Sequence, residues 1–201
     1  MNQRYYYEYE WDSEYCYPHS HVLKNKLNIT DQSELEEAER AITSLKMAQA
    51  SLVRIRGRFG ITHLKRMHRF LFEDIYPWAG QFRKVNISKG NEFCRADYIE
   101  PQLLALFDSL KKENYLKNCA SVLEISRRLS YYLGEINVIH PFREGNGRTQ
   151  RLFIETLADS AGYTLDFSQI SEDEMLEASA LSYEKDYSLM DELMLRACTK
   201  K

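Results

Sequence analysis

The chain has 201 residues, 44% of them hydrophobic and 28% charged, with 30 acidic and 27 basic side chains and a formal net charge of −3. Such a composition fits one globular domain with a real core. It excludes a polybasic nucleic-acid binder and a protein drawn to anionic membranes by bulk charge. No apolar run reaches the ~18 residues of a membrane span, and the polar, acidic start lacks the apolar stretch of a secretory signal. Cys16, Cys94, Cys119 and Cys198 are too scattered for a CxxC pair or a disulfide framework. They read as reduced thiols of a cytoplasmic protein, with Cys94 reactive only if it sits on an exposed loop.

Residues 1–30 carry Pro18 and six tyrosines between Tyr5 and Tyr17, too aromatic for a simple disordered tail. We read them as an arm packed on the body, with a partner-binding arm as the alternative, and expect a short helix over His21–Leu27. From Ser33 the pattern is helical: Leu35, Ala38, Ile42 and Leu45 recur at spacings of three and four. A second helix is predicted over Thr62–Ile75, with Thr62 as its N-cap and Leu64, Met67, Leu71 and Ile75 as its stripe. Phe82–Ser88 then alternates, with Arg83, Val85 and Ile87 on one side, and Lys89-Gly90-Asn91 supplies turn chemistry. That predicts a hairpin over residues 82–95, the one good strand candidate in the chain. Further helices are predicted over Pro101–Glu113, Ser121–Val138, Gly147–Ala161 (stopped by Gly162), Ser171–Tyr183 and Ser188–Thr199. The fold class is all-α: a helical bundle with one small β-hairpin, residues 31–201 forming the domain.

Residues 136–151 hold the chemistry. An apolar helix runs to Ile139, and Pro141 disfavours helical geometry at His140. Gly145 and Gly147 permit positive φ and close backbone approach, and a new helix begins at once. Its free N–H groups and dipole favour an anion there. Arg148 and Arg151 share one face of its first turn. Two cations at that end oppose the dipole, and make sense if a polyphosphate supplies the countercharge. Glu144, the loop's only carboxylate, suits either an ion pair or a magnesium ion bridging phosphates. His140 can accept a proton near neutral pH. The spacing is not that of a P-loop. His63 and His68, five apart rather than four, are not a helical metal pair and read as surface or core histidines.

The segment His140-Pro-Phe-Arg-Glu-Gly-Asn-Gly-Arg-Thr-Gln-Arg151 resembles the motif HxFx[DE]GNGRxxR of the Fic (filamentation induced by cAMP) family, matching every specified position. The resemblance extends from about Pro18 to the C-terminus. Tyr76-Pro-Trp-Ala-Gly-Gln-Phe-Arg83 looks like the family's WAG-x-x-R approach to a hairpin flap, and Leu157–Tyr163 like its continuation after the motif. The resemblance implies a Fic fold and a protein adenylyltransferase, which moves AMP from ATP, with magnesium, to a Ser, Thr or Tyr hydroxyl of a target protein. By the same resemblance His140 is the base and Glu144 the magnesium ligand. Gly145, Asn146 and Gly147 line the α-phosphate site, Arg148 holds the β-phosphate and Arg151 the γ-phosphate. Phe142 anchors the loop. Flap residues Ile87 and Lys89 clamp the target, with Lys89 also near ATP.

Many relatives inhibit themselves with a helix of pattern [ST]xxxE[GN], whose Glu pairs with the arginine here numbered Arg151. Ser33…Glu37, Ser168…Glu172 and Ser188…Glu192 each lack the final Gly or Asn. The resemblance then implies the class restrained by a separate small antitoxin, with Glu192 as the intramolecular alternative. A bacterial toxin is expected, in a family where type II topoisomerase subunits are targets. The competing readings are the catalytic domain of a secreted effector modifying host GTPases, an enzyme using another nucleotide donor or removing AMP, and a non-catalytic nucleotide-binding scaffold. No membrane and no direct nucleic-acid partner is expected.

Overall fold

The computed structural model describes residues 14–53, 55–89 and 91–201. The tyrosine-rich stretch at 5–11 lies outside them. Seven α-helices are described: α1 (Gln32–Leu52), α2 (Ile61–Phe72), α3 (Ile99–Lys112), α4 (Val122–Ile139), α5 (Asn146–Ser160), α6 (Glu172–Tyr183) and α7 (Ser188–Ala197). α4 is the central helix, packed against α3, α5, α6 and α7, while α2 lies on α5 and α1 lies outside on α2. Its Ile125, Leu129, Tyr132 and Ile136 are fully buried, as the apolar spacing predicts. Ser121 caps it by accepting from the Glu124 N–H, and Ser171 with Glu174 forms a capping box on α6. No described helix is long and apolar enough to cross a membrane.

The ribbon after α2 is shorter than the alternation suggested. Only Ser88–Lys89 (β1) pairs with Asn91–Glu92 (β2), antiparallel. Residues 82–87 keep the predicted sidedness, Arg83 and Ile87 buried and Lys84 and Asn86 exposed. They lack a ladder because Arg83 bonds to the neighbouring loop instead. A second sheet contradicts the reading of the ribbon as the only strand candidate. Tyr163–Leu165 (β3) pairs antiparallel with Cys198–Lys200 (β4). α7 therefore ends at Ala197, not Thr199. Three-residue strands paired across some 35 positions leave no periodicity to read.

Other boundaries shift for local reasons. His21–Leu27 is not helical. Cys16 and Leu23 form a bridge, and Asn25 then holds a turn, its Oδ1 accepting from the N–H groups of Leu27 (3.1 Å) and Ile29 (3.0 Å). Gly60, not Thr62, caps α2. That helix stops at Phe72, where the carbonyl accepts from both Ile75 and Tyr76 N–H groups ahead of Pro77. α3 begins two residues before Pro101, because a proline within the first turn removes only an N–H that has no partner in the helix. All four cysteines are free thiols; Cys94 is half-buried and burial pushes its thiol pKa up, so it stays protonated.

Candidate active site

The loop between α4 and α5 turns on two left-handed residues. His140, the C-cap of α4, has φ 47°, and Gly145, the N-cap of α5, has φ 78°. At Gly145 only glycine fits: a Cβ would lie 2.2 Å from Cζ of Phe72. Between the two bends, Asn146 closes the loop on itself. Its Oδ1 accepts from the Phe142 N–H (2.9 Å) and its Nδ2 donates to the Phe142 carbonyl (2.7 Å). The Asn146 side chain is thus occupied, and what it offers an anion is its main-chain N–H at the start of α5. Phe142 is buried and stacked on His68, centroids 3.9 Å apart.

Three distant residues, none singled out as a site residue from the sequence, brace this loop. His68 is fully buried. It accepts from the Gly80 N–H at Nδ1 (2.8 Å), so its proton sits on Nε2, 3.0 Å from the Glu144 carbonyl. Burial pushes its pKa down to about 3, so it is a neutral strut. Arg83 donates to the carbonyls of His140 (2.8 Å), Val85 (2.7 Å), Ile139 (3.3 Å) and Cys94, while its own N–H reaches the Pro141 carbonyl (2.9 Å). It sews the ribbon to the loop. Glu39, on α1, meets Arg148 at 2.5 Å. The WAG-x-x-R resemblance pointed to Arg83. No sequence pattern pointed to Glu39.

The predicted residues converge. His140, Glu144, Gly145, Asn146, Gly147, Arg148 and Arg151 all line one cavity of about 700 Å³, within the size range of small-molecule sites. Its other wall is mixed: Phe167, Ile170, Met175, Leu176 and Ala180 are apolar, and Ser171, Glu172 and Ser179 stand among them. Tyr183 on α6 donates to the Glu92 carbonyl of β2 (2.8 Å), tying that wall to the ribbon at the cavity's edge. His140 is stacked on Phe93 (3.8 Å), and its Nδ1 lies 3.2 Å from the Asn137 carbonyl. A carbonyl only accepts, so Nδ1 carries the proton and Nε2 holds the lone pair. Glu144 Oε1 accepts from the Gly145 N–H (2.8 Å), and burial followed by the Glu39 charge raises the Glu144 pKa.

The two arginines differ. Arg148 is held by Glu39 and by Thr43 Oγ1 (3.0 Å); burial alone would lower its pKa, but Glu39 and Glu144 raise it. Arg151 makes no ion pair with any described residue within salt-bridge reach, and burial, then Arg148, lowers its pKa. Glu155 and Glu172 act on it only from further away. Of the ribbon residues, Ile87 is 2% exposed, and Lys89 lies in β1. Glu192 is not among the residues lining the cavity.

The bent helix–loop–helix thus brings a helix N-terminus and two arginines to one cavity, an arrangement suited to an anion. Residues 58–158 match the Fic/DOC family, and the chain belongs to it. It is 40% identical over 187 residues to the protein adenylyltransferase VbhT of Bartonella schoenbuchensis, covering 92% of this chain but spanning only 39% of VbhT. It is 41% identical to y4lH of Sinorhizobium fredii, named a probable protein adenylyltransferase, over 85% of this chain and 88% of that one. Among solved structures, BepC of Bartonella tribocorum with bound AMPPNP superposes with a TM-score of 0.86 at 26% identity, covering 93% and 97% of the two chains. The N-terminal Fic domain of a Bep effector from Bartonella quintana with bound ADP gives 0.87 at 29%, covering 93% and 95%.

Proposed function

We propose that this chain transfers AMP from ATP to a hydroxyl group of a target protein. The observation that carries this is the convergence of His140, the α5 N-terminus and two arginines on one cavity. The wall at 167–180 receives the nucleoside. The first N–H groups of α5 and the Gly145–Gly147 backbone hold the α-phosphate, with Arg148 on the β-phosphate and Arg151 on the γ-phosphate. The hydroxyl proton passes to His140 Nε2 as the new O–Pα bond forms. The bond from Pα to the bridging oxygen breaks, and pyrophosphate leaves. His140 is fixed in the right tautomer by the Asn137 carbonyl. The backbone donors stabilise the charge that develops on the α-phosphoryl oxygens.

A divalent cation fits beside Glu144. Its side chain is 27% exposed and lines the cavity, and one of its oxygens already accepts from Gly145. No cluster of three metal-ligating side chains exists among the described residues. Mg²⁺ accepts a single protein carboxylate such as Glu144, taking its remaining ligands from phosphate and water oxygens. Bound there, magnesium would neutralise phosphate charge and orient the leaving group.

The ribbon presents a short strand edge on which an extended segment of the target docks, near Lys89. The side chain of Ile87 is buried, so any clamping of the target by it needs the ribbon to shift. Regulation follows from Arg151. We propose that the restraint comes from a separate small antitoxin that supplies a carboxylate to Arg151, which lines the cavity. Incubation of the purified chain with α-³²P-ATP, magnesium and bacterial lysate tests the activity. Label transfer to a protein, abolished by His140→Ala, is expected. Full labelling by His140→Ala sinks the base assignment, and magnesium-dependent ATP binding without labelling of any lysate protein sinks the transfer itself.

A further inference from the structure

Arg148 has the wrong partner. Glu144 lies four residues before it, in the loop just ahead of the α5 N-cap, close enough to compete for the guanidinium. Yet the Arg148–Glu144 separation is 3.6 Å, outside hydrogen-bond range, whereas the distance to Glu39 on α1 is 2.5 Å. α1 holds the guanidinium twice. Thr43, one turn on from Glu39, accepts from the other terminal nitrogen at 3.0 Å and donates its own proton to the Glu39 carbonyl at 2.8 Å. Tyr76 donates to the second Glu39 oxygen, so the carboxylate is fixed from the far side. The Glu39 side chain is 12% exposed and Thr43 is buried. Phe72 closes the space beneath, its ring 4.8 Å from the Arg148 Cζ.

We infer that Glu39 is a positioning residue: by docking Arg148 on α1 it keeps that guanidinium off Glu144, leaving the Glu144 carboxylate open to a divalent cation. Two effects act in the same direction. Without the Glu39 carboxylate, Arg148 closes on Glu144 and occupies the metal ligand. The local charge of Glu39, Glu144 and Arg148 together also rises from −1 to zero, which weakens attraction for any cation. The effect on an unmetallated polyphosphate has the opposite sign, because a nearby anion has been removed. A merely structural residue would weaken both kinds of binding together.

This rests on the proposed nucleotide chemistry, and the assay separates the two. Mn²⁺ binding is followed by electron paramagnetic resonance with saturating AMPPNP, and AMPPNP binding alone by calorimetry in EDTA. If wild type binds no Mn²⁺–AMPPNP, the adenylyl-transfer reading fails. If it does, Glu39→Gln, nearly isosteric and still able to accept from Tyr76, is expected to raise the Mn²⁺ Kd about tenfold, the scale of an outer-shell partner of a metal ligand. Metal-free AMPPNP should bind equally well or more tightly. In an Arg148→Gln background the same substitution should cost clearly less than in wild type, because only the charge effect remains. A change in Mn²⁺ Kd below twofold overturns the inference, as does parallel weakening of metal-free binding or an undiminished effect in the Arg148→Gln background. If Glu39→Gln does not fold, Thr43→Val removes only the other α1 acceptor of Arg148. It removes no charge, so the Mn²⁺ Kd should rise while metal-free AMPPNP binding stays unchanged, and a parallel or absent shift overturns the inference equally.

Discussion

Gly145→Ala is the sharpest test of how the loop is built. Gly145 sits at φ 78°, where an L-residue costs roughly 1–2 kcal/mol. Its new methyl would lie 2.2, 2.3 and 2.9 Å from three ring atoms of Phe72. That ring cannot swing away. It is fully buried, tilted against His68 (4.8 Å) and roofed by Arg148. Overpacking of this kind costs about 1–3 kcal/mol, for a total of about 2–5 kcal/mol, a large share of an ordinary domain's stability. Urea unfolding near neutral pH measures it. The two contributions separate in a double-mutant cycle. Phe72→Ala is costly alone, at about 3–5 kcal/mol. Combined with Gly145→Ala it removes the clash but leaves the φ strain, so the pair should fall short of additivity by about 1–3 kcal/mol. A Gly145→Ala cost under about 1 kcal/mol, or additive losses, would refute the steric account.

Three further outcomes are expected. His68 has its folded pKa depressed to about 3, below its ordinary 6.5, so the unfolded chain binds the extra proton between these values. Stability should fall as pH drops through that window, by about 1.4 kcal/mol per unit relative to His68→Asn, and equal acid sensitivity of the two proteins in thermal melts would count against the neutral strut. Burial raises the Glu155 pKa to about 7 beside Arg151. Deprotonation above that value adds an anion next to the phosphate-binding cation, so ATP affinity should weaken from pH 6 to 8 more in wild type than in Glu155→Gln, and identical slopes by calorimetry would refute it. Arg83→Lys replaces a planar fork that reaches four carbonyls with a point charge that cannot. It should cost about 2–4 kcal/mol and speed amide exchange in residues 88–94, and unchanged exchange there would show that the ribbon is held by something else.

The loop was legible because its parts are contiguous. Pro141, the two glycines, the arginines at helical spacing and His140 fall within twelve residues, and helix physics already made them an anion site before the family resemblance gave them roles. The bracing was not legible for the converse reason. His68 reaches Glu144 across 76 residues, Arg83 reaches His140 across 57 and Glu39 reaches Arg148 across 109. Nothing local marks such residues: Glu39 looks like any glutamate on an acidic helix, and His68 like any core histidine. The second sheet was hidden similarly, since Tyr163–Leu165 and Cys198–Lys200 pair across the whole of α6 and α7 in sequence. Helix existence survived this ignorance because each apolar stripe is long. The ends moved by a few residues wherever a proline or a shared carbonyl decided them.

The ribbon's length has a consequence for how a substrate protein is chosen. β1 and β2 are two residues long, and the Glu92 carbonyl is already taken by Tyr183. A chain laid along so brief an edge gains two or three main-chain hydrogen bonds, worth about 1 kcal/mol each. On the proposed docking mode that is a handhold for the target segment, because Arg83 couples ribbon and loop into one piece. It is not an address. Discrimination between one protein and another must be written elsewhere, in surfaces that meet the target away from the reacting atoms.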